Sequence, residues 1–302
     1  MPQTLVAVTG GTGFIGSHLM AELQRTVPNL QLRALTRKPQ PDNNAIEWIE
    51  GDLSQSQPLR KLVEGADVII HNAGVVRGRS DTDFLGINRD GTAMLADIAQ
   101  STGNARFILI SSLAAREPQL SHYAASKAAA EAVLEVTTLN WRVVRPPAVY
   151  GTGDEELAPL FRLMRRGLGA YPATASGRLS LIHVQDLVRF IVTLALNDNA
   201  QCDYLCYEPD DGAPGGYNWP AIRQAAETAY DRRIRMLPVP GLLLRLIAHG
   251  NHWLSAALGY APMLTPGKYR ELSHPDWVCQ PLPVSVDWQP RISLSDGLRQ
   301  LD

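Results

Sequence analysis

Residues 4–16, TLVAVTGGTGFIG, decide how the rest of the chain is read. Leu5, Val6, Ala7 and Val8 are a short apolar run of the kind that forms a strand buried on both faces. Gly10, Gly13 and Gly16 follow at three-residue spacing, and His18, Leu19, Met20 and Leu23 continue as a helix pattern. A strand that turns through glycines into a helix aims free backbone N–H groups and the positive helix end at an anion. A side chain there would hold the backbone away from a pyrophosphate, which is the physical use of glycine in such a turn. The spacing is G-x-x-G-x-x-G rather than the commoner G-x-G-x-x-G, so the glycines take their meaning from sitting between a strand and a helix.

Residues 31–36 (QLRALT) read as a second strand. At its end a doubly wound nucleotide fold places the adenosine ribose, where an acidic residue would accept from the 2′-hydroxyl of NAD. Arg37 and Lys38 stand there instead, cations suited to a 2′-phosphate if they are more than a solvated loop charge. NADP(H) is therefore the expected cofactor, with NAD(H) as the alternative. Residues 46–49 are a short strand followed by Gly51-Asp52-Leu53; Asp52 is expected to accept from an adenine amino group or to cap a helix beginning near Leu59. Residues 67–71 form a buried strand ending in Asn72-Ala73-Gly74, small enough to admit the cofactor ribose, and His71 reads as a packed strand-end histidine.

Residues 84–100 have a helix pattern that contains Asn88, and residues 106–110 are a fifth strand ending in Ser111-Ser112. Eleven residues beyond Ser112 comes Tyr123, and four later Lys127, in the alanine-rich helix YAASKAAAEAVLE. Positions i and i+4 share a helix face, so phenol and ammonium project into the same space. A nearby cation favours phenolate, so the pair is expected to lower the phenol from its ordinary value of about 10, with Ser112 as a second hydroxyl on the substrate oxygen.

Gly10-x-x-Gly13-x-x-Gly16, Asp52-Leu53, Asn72-Ala73-Gly74, Ser112 and Tyr123-x-x-x-Lys127 together resemble the short-chain dehydrogenase/reductase superfamily. Arg145-Pro-Pro-Ala-Val-Tyr150-Gly151 and Ile182-His183-Val184-Gln185-Asp186-Leu187 resemble its extended branch, the NAD-dependent epimerase/dehydratase family, over residues 4–195. The resemblance implies an α/β fold: a Rossmann doubly wound parallel sheet with a smaller C-terminal substrate lobe. The nucleotide domain would be residues 1–150 with 178–200 returning to it, and the lobe 151–177 and 201–302. It implies Tyr123 as acid/base, Lys127 on the nicotinamide ribose and on Tyr123, Ser112 on the substrate oxygen, and Asn88 as either a proton-relay or a structural residue. The cofactor would be held by Gly10, Thr12, Gly13, Phe14, Ile15, Gly16, Arg37, Asp52, Leu53, Asn72, Ala73, Gly74, Tyr123, Lys127, Pro146 and Val149.

Two departures bear on the reaction. The interval between Ser112 and Tyr123 is shorter than in typical sugar-nucleotide epimerases and dehydratases, and Leu113-Ala114 stand where dehydratases carry an Asp-Glu pair. An NADP(H)-dependent oxidoreductase reducing a ketone to a secondary alcohol is the leading expectation. A nucleotide-sugar epimerase is the alternative, and a non-catalytic nucleotide-binding assembly protein the third, disfavoured because Ser112, Tyr123 and Lys127 are all present. In residues 238–258, Leu243, Leu246, Ile247, Gly250, Leu254 and Ala257 recur at helical spacing, with Arg245, His249 and His252 on the other side. That is a helix packed on the lobe core or, alternatively, an apolar lid over the substrate that touches a membrane surface. With Leu113-Ala114 it points to a hydrophobic or lipid-like ketone, although Arg162, Arg165, Arg166 and Arg178 remain available for a phosphate. His249-x-x-His252 has metal spacing but no third ligand, so no metal is assigned; Trp253, Trp277 and Trp288 read as core. Asp186 is expected to hold a helix start.

The chain has 302 residues, 45% hydrophobic and 19% charged, with a net charge of −2, an ordinary globular balance with no basic footprint for nucleic acid. A small-molecule substrate is the expected partner, and a homodimer or monomer the expected state. Cys202, Cys206 and Cys279 form no paired framework, so reduced thiols in the cytoplasm are expected. No apolar leader and no run of about eighteen apolar residues is present, so neither a signal segment nor a transmembrane helix is expected.

Overall fold

The apolar runs at residues 5–8, 68–70 and 107–110 are too short for helices and too apolar for strands with one wet face, and they pair side by side in parallel. The computed structural model describes residues 4–27, 29–41, 45–78, 80–173, 177–258 and 264–301, with the backbone alone described at 252–258. Its first half runs β1 (Thr4–Thr9), α1 (Phe14–Thr26), β2 (Leu30–Thr36), β3 (Glu47–Glu50), α2 (Ser56–Val63), β4 (Val68–His71), α3 (Asp81–Leu85), α4 (Gly91–Thr102), β5 (Arg106–Ile110), α5 (His122–Glu135) and β6 (Trp141–Val144). There follow β7 (Ala148–Tyr150), α6 (Ala158–Arg165), β8 (Leu168–Pro172), β9 (Arg178–Leu179), β10 (Leu181–His183), α7 (Val184–Leu196) and β11 (Leu205–Tyr207). The chain closes with α8 (Trp219–Tyr230), β12 (Arg235–Val239), α9 (Gly241–Leu258), α10 (Pro266–Ser273), β13 (Asp276–Trp277) and α11 (Leu294–Arg299).

Seven strands form one parallel sheet in the order β11-β6-β5-β4-β1-β2-β3, the doubly wound arrangement. Alternation along β1 shows how both faces are filled. Val6 and Val8 pack with Leu19 and Leu23 of α1 and with Leu187, Phe190 and Ile191 of α7, while Ala7 faces Leu59, Leu62, Leu95 and Leu134 on the other side. A third apolar cluster joins Tyr150, Phe161, Met164, Leu181, Ile222, Leu294 and Leu298.

Several expectations are corrected. β11 lies within the stretch assigned to the C-terminal lobe, yet it extends the main sheet beside β6. The helix pattern over 84–100 is interrupted by a π-helical turn, Gly86–Asp90, between α3 and α4. The helix expected near Leu59 begins at Ser56, and Asp52 caps the turn before it by accepting from Ser54 N at 2.8 Å. Asp186 does not hold its own helix start. The His183 ring does that, accepting from Gln185 N at 3.3 Å, and the buried Asp186 carboxylate accepts from Arg291 N and Ile292 N at 2.8 and 2.9 Å. It thereby ties the C-terminal segment to α7. In α9 the stripe Leu243, Leu246 and Ile247 is exposed, and the seam toward the protein is Leu244, Ala248 and Asn251. The side chains of His252, Trp253, Leu254 and Ala257 lie outside the described residues.

Candidate active site

In a parallel sheet the carboxyl ends of the strands share one edge, and at β1 and β4 the strand order reverses, leaving a crevice. The glycine turn closes the β1 side of it. Gly10 has φ +71°, and a Cβ there would lie 2.7 Å from Ala73 N; a Cβ on Gly16 would fall on the Gly10 carbonyl. A Cβ on Gly13 would meet only Gly10 O, at 3.5 Å, so there is open space beside Gly13. Among the described residues no side chain caps α1, so its first N–H groups meet no side-chain acceptor there. Thr12 is exposed, Phe14 and Ile15 are half-buried, and Phe14 packs its ring edge against His18. This cradle of backbone donors fits a dinucleotide pyrophosphate. Arg37 and Lys38 are exposed just past β2, and the Arg37 charge helps hold the Asp52 carboxyl below its ordinary value, behind the hydrogen bonds from Ser54.

The loop after β4 is pinned onto this turn. Asn72 Nδ2 donates to Gly10 O and Ala73 N to Thr9 Oγ1, both at 3.1 Å, so the Asn72 side chain braces the turn itself. A Cβ on Gly74 would meet Asn88 Oδ1 at 2.9 Å and Lys127 Nζ at 3.2 Å, which brings Gly74, Asn88 and Lys127 together. Asn88 sits in the π-helical turn, a geometry common at functional sites. Its side chain accepts from Val75 N at 2.9 Å and donates to Val75 O and Ser126 Oγ at 3.1 and 2.8 Å. Ser126 Oγ in turn donates to Tyr123 O at 2.8 Å. Asn88 therefore clamps the β4 loop to α5.

Ser112 ends the β5 edge and caps the short 3₁₀ turn Leu113–Arg116, its hydroxyl accepting from Ala114 N at 3.2 Å. Leu113 and Ala114 are buried, and Leu113 N donates to Pro146 O at 2.9 Å. Tyr123, in the first turn of α5, packs its ring against Phe84, with the Ser112 hydroxyl near its phenol. Against the lowering that the lysine spacing leads one to expect, burial pushes the phenol up to about 12, with Ser112 pulling the other way. Lys127 is buried, donates to Ile110 O at 3.0 Å, and is pushed down to about 8 by burial, with the Glu131 charge opposing. Leu53 packs on Gly91, where a Cβ would meet it at 2.8 Å, and Val149 is half-buried on β7.

Glu131 escaped sequence reasoning, although Tyr123, Lys127 and Glu131 recur at i, i+4 and i+8. It accepts from Ser111 Oγ and pairs with Arg145 at 2.5 Å, and Arg145 reaches Glu208 at 3.6 Å. Glu271 of α10 escaped it too, because nothing local marks it. Ser121, the cap of α5, donates to that carboxylate, and Lys268 pairs with it at 3.3 Å. Beyond β7 a cleft of about 300 Å³ is lined by Gly151, Thr152, Gly153, Asp154, Glu155, Phe161, Arg162, Arg165 and Tyr230. Among the described residues no group of three or more His, Cys, Asp or Glu is placed to hold a metal ion.

Residues 10–195 match an NAD(P)H-binding family. With its glycine turn, parallel sheet and strand-end site, the chain belongs to the extended short-chain dehydrogenase/reductase superfamily, the NAD-dependent epimerase/dehydratase family. It is 36% identical to a protein named ceramide reductase from Caulobacter vibrioides, over 97% of this chain and 92% of the relative. It is 25% identical to 2-alkyl-3-oxoalkanoate reductase from Stenotrophomonas maltophilia, over 98% of both. Among solved structures, the UDP-glucuronic acid 4-epimerase from Bacillus cereus in complex with NAD superposes with a TM-score of 0.72 at 17% identity, covering 99% of this chain and 97% of the other, a likeness of fold.

Proposed function

We propose that the chain is an NADP(H)-dependent reductase that converts a hydrophobic, lipid-like ketone to a secondary alcohol. What supports it is Ser112 at the end of β5 beside Tyr123 of α5, with Lys127 one helical turn further along, on a chain similar over nearly its full length to reductases whose names describe lipid-type molecules. The glycine turn and the first N–H groups of α1 would hold the pyrophosphate, Lys127 the nicotinamide ribose, and Arg37 the 2′-phosphate. The dihydronicotinamide, when bound, supplies the hydride that adds to the carbonyl carbon.

Ser112 donates to the substrate oxygen and fixes it against Tyr123. The phenol, raised to about 12, keeps its proton at neutral pH and is therefore the acid of the pair. An alkoxide is far more basic than a phenolate, so the proton passes from Tyr123 Oη to the reduced oxygen as the alcohol forms. Lys127, one helical turn along, is the cation that offsets the phenolate left behind. Leu113 and Ala114 put no acid beside Ser112 for sugar dehydration. The nucleotide-sugar epimerase alternative draws on the cleft holding Arg162 and Arg165, cations that suit a diphosphate.

NADPH oxidation with ketones of increasing chain length, set beside UDP- and dTDP-sugars, separates the two. A buried methylene contributes about 0.8 kcal/mol, so kcat/KM should climb roughly fourfold per added carbon until the pocket is full. Activity indifferent to chain length together with turnover of the sugars would put the epimerase in its place. NADPH should also bind more tightly than NADH, with Arg37→Ala narrowing the gap by about 2 kcal/mol; equal affinities in the wild type would remove the NADP assignment.

A further inference from the structure

The helix α9 turns its large apolar residues away from the protein. Leu242, Leu243, Leu246 and Ile247 are 70%, 48%, 63% and 43% exposed, whereas Ala248 is fully buried. Leu237 on β12 and Leu168 on its pairing strand β8 are each 44% exposed, on the strand pair that leads into this helix. A contiguous run of exposed leucines marks a surface that meets something apolar. The charges along this stretch of chain are one-sided. Residues 232–270 contain six Lys or Arg and no Asp or Glu, in a chain whose net charge is −2. Lys268 pairs with Glu271, and Arg232 and Arg270 donate to the Arg165 and Leu120 carbonyls. Arg233, Arg235 and Arg245 make no ion pair among the described residues.

We propose that this face, centred on residues 242–247 with Arg245 within it, Arg235 on the exposed strand that leads into it and Arg233 just before that strand, docks on the surface of an anionic lipid bilayer. Leu242, Arg245, Leu246 and His249 recur at i, i+3, i+4 and i+7 and share one exposed side of α9. Leucines of a helix lying in the interface sink into the acyl boundary while neighbouring arginines extend to the phosphates. A second copy of the chain fits less well, because a two-fold contact would set the same unpaired arginines against each other. No helix among the described residues is long and apolar enough to cross a membrane, so the contact is peripheral.

The face adjoins the candidate site through the fold. α9 packs on α10, whose Gly267 lies against Ser121, the residue that caps the helix bearing Tyr123. The docking itself stands apart from the reaction proposed above.

Co-sedimentation of the full chain with vesicles tests it, using phosphatidylcholine alone and equal parts phosphatidylcholine and phosphatidylglycerol. The expected result is binding to the anionic vesicles that weakens as salt rises, with little binding to the neutral ones. Arg233→Gln and Arg235→Gln should each weaken binding about fivefold. Leu243→Ser and Leu246→Ser should each weaken it roughly tenfold or more, with circular dichroism checking that every variant is folded. Folded wild type that stays in solution with anionic vesicles, or binds neutral ones equally, would overturn the proposal. So would leucine variants that dissociate a dimer in the ultracentrifuge while vesicle binding is unchanged.

Discussion

His71 shows how one buried residue ties the glycine turn to the turn that carries Asn88. The Thr92 hydroxyl donates its only proton to Asn88 O at 2.6 Å, so at 3.0 Å it accepts from His71 Nε2. The ring is neutral, so Nδ1 accepts from Thr9 Oγ1 at 2.6 Å, and Thr9 Oγ1 accepts from Ala73 N. Burial, with the Lys127 charge adding to it, pushes the ring down to about 3 from its ordinary 6.5. A depressed folded value means the neutral ring's contribution is whole above pH 6.5 and is lost as pH falls through about 3. Denaturant midpoints should therefore drop over that acid range more steeply in wild type than in His71→Gln, a substitution expected to cost about 1–3 kcal/mol at neutral pH. Identical acid slopes would refute the tautomer chain. Lys127 gives the opposite limb. With the ammonium titrating at about 8, kcat/KM should fall above that pH while Tyr123 is still protonated. Lys127→Arg should abolish that break, and Glu131→Gln should move it to lower pH; a break unmoved by either would assign it elsewhere.

At the scale of elements, the strand–turn–helix of residues 4–26 is legible because each part announces itself: an apolar run, glycines, then helical spacing. Its close approaches make a firm prediction. Gly16→Ala places a methyl on the Gly10 carbonyl, backbone that cannot swing aside, so the turn must open. NADPH binding should weaken by at least about tenfold, while far-UV circular dichroism of the folded variant stays near wild type. Unchanged affinity would mean that the turn does not hold the pyrophosphate. The π-helical turn at Gly86–Asp90 was hidden because hydrophobic periodicity reports which residues are apolar, not a single extra residue in a turn. In α9 the same periodicity locates an apolar stripe but cannot say what it faces, and the stripe turns outward. The Tyr123 direction was missed for a related reason. Spacing puts a lysine near the phenol, but burial is set by Phe84 and the surrounding fold, and burial prevails.

On the scale of the whole molecule, the parallel sheet delivers candidate residues from the ends of six strands, β1 to β6, to one edge. The C-terminal segment is stitched back by Asp186 and by Glu271 under Ser121. Long-range stitching of this kind leaves no local sequence signal, which is why the nucleotide half was readable and the lobe's contacts were not. The central claim is net hydride delivery to a ketone with Tyr123 supplying the proton. The measurement that meets it most directly is mass spectrometry of the alcohol formed from a long-chain ketone with nicotinamide-deuterated NADPH, in wild type and Tyr123→Phe. One deuterium at the carbinol carbon for each NADPH consumed is predicted, with formation slowed at least about a hundredfold in Tyr123→Phe while NADPH still binds. No deuterated alcohol, alongside epimerised UDP-sugar and no net NADPH consumption, would contradict it.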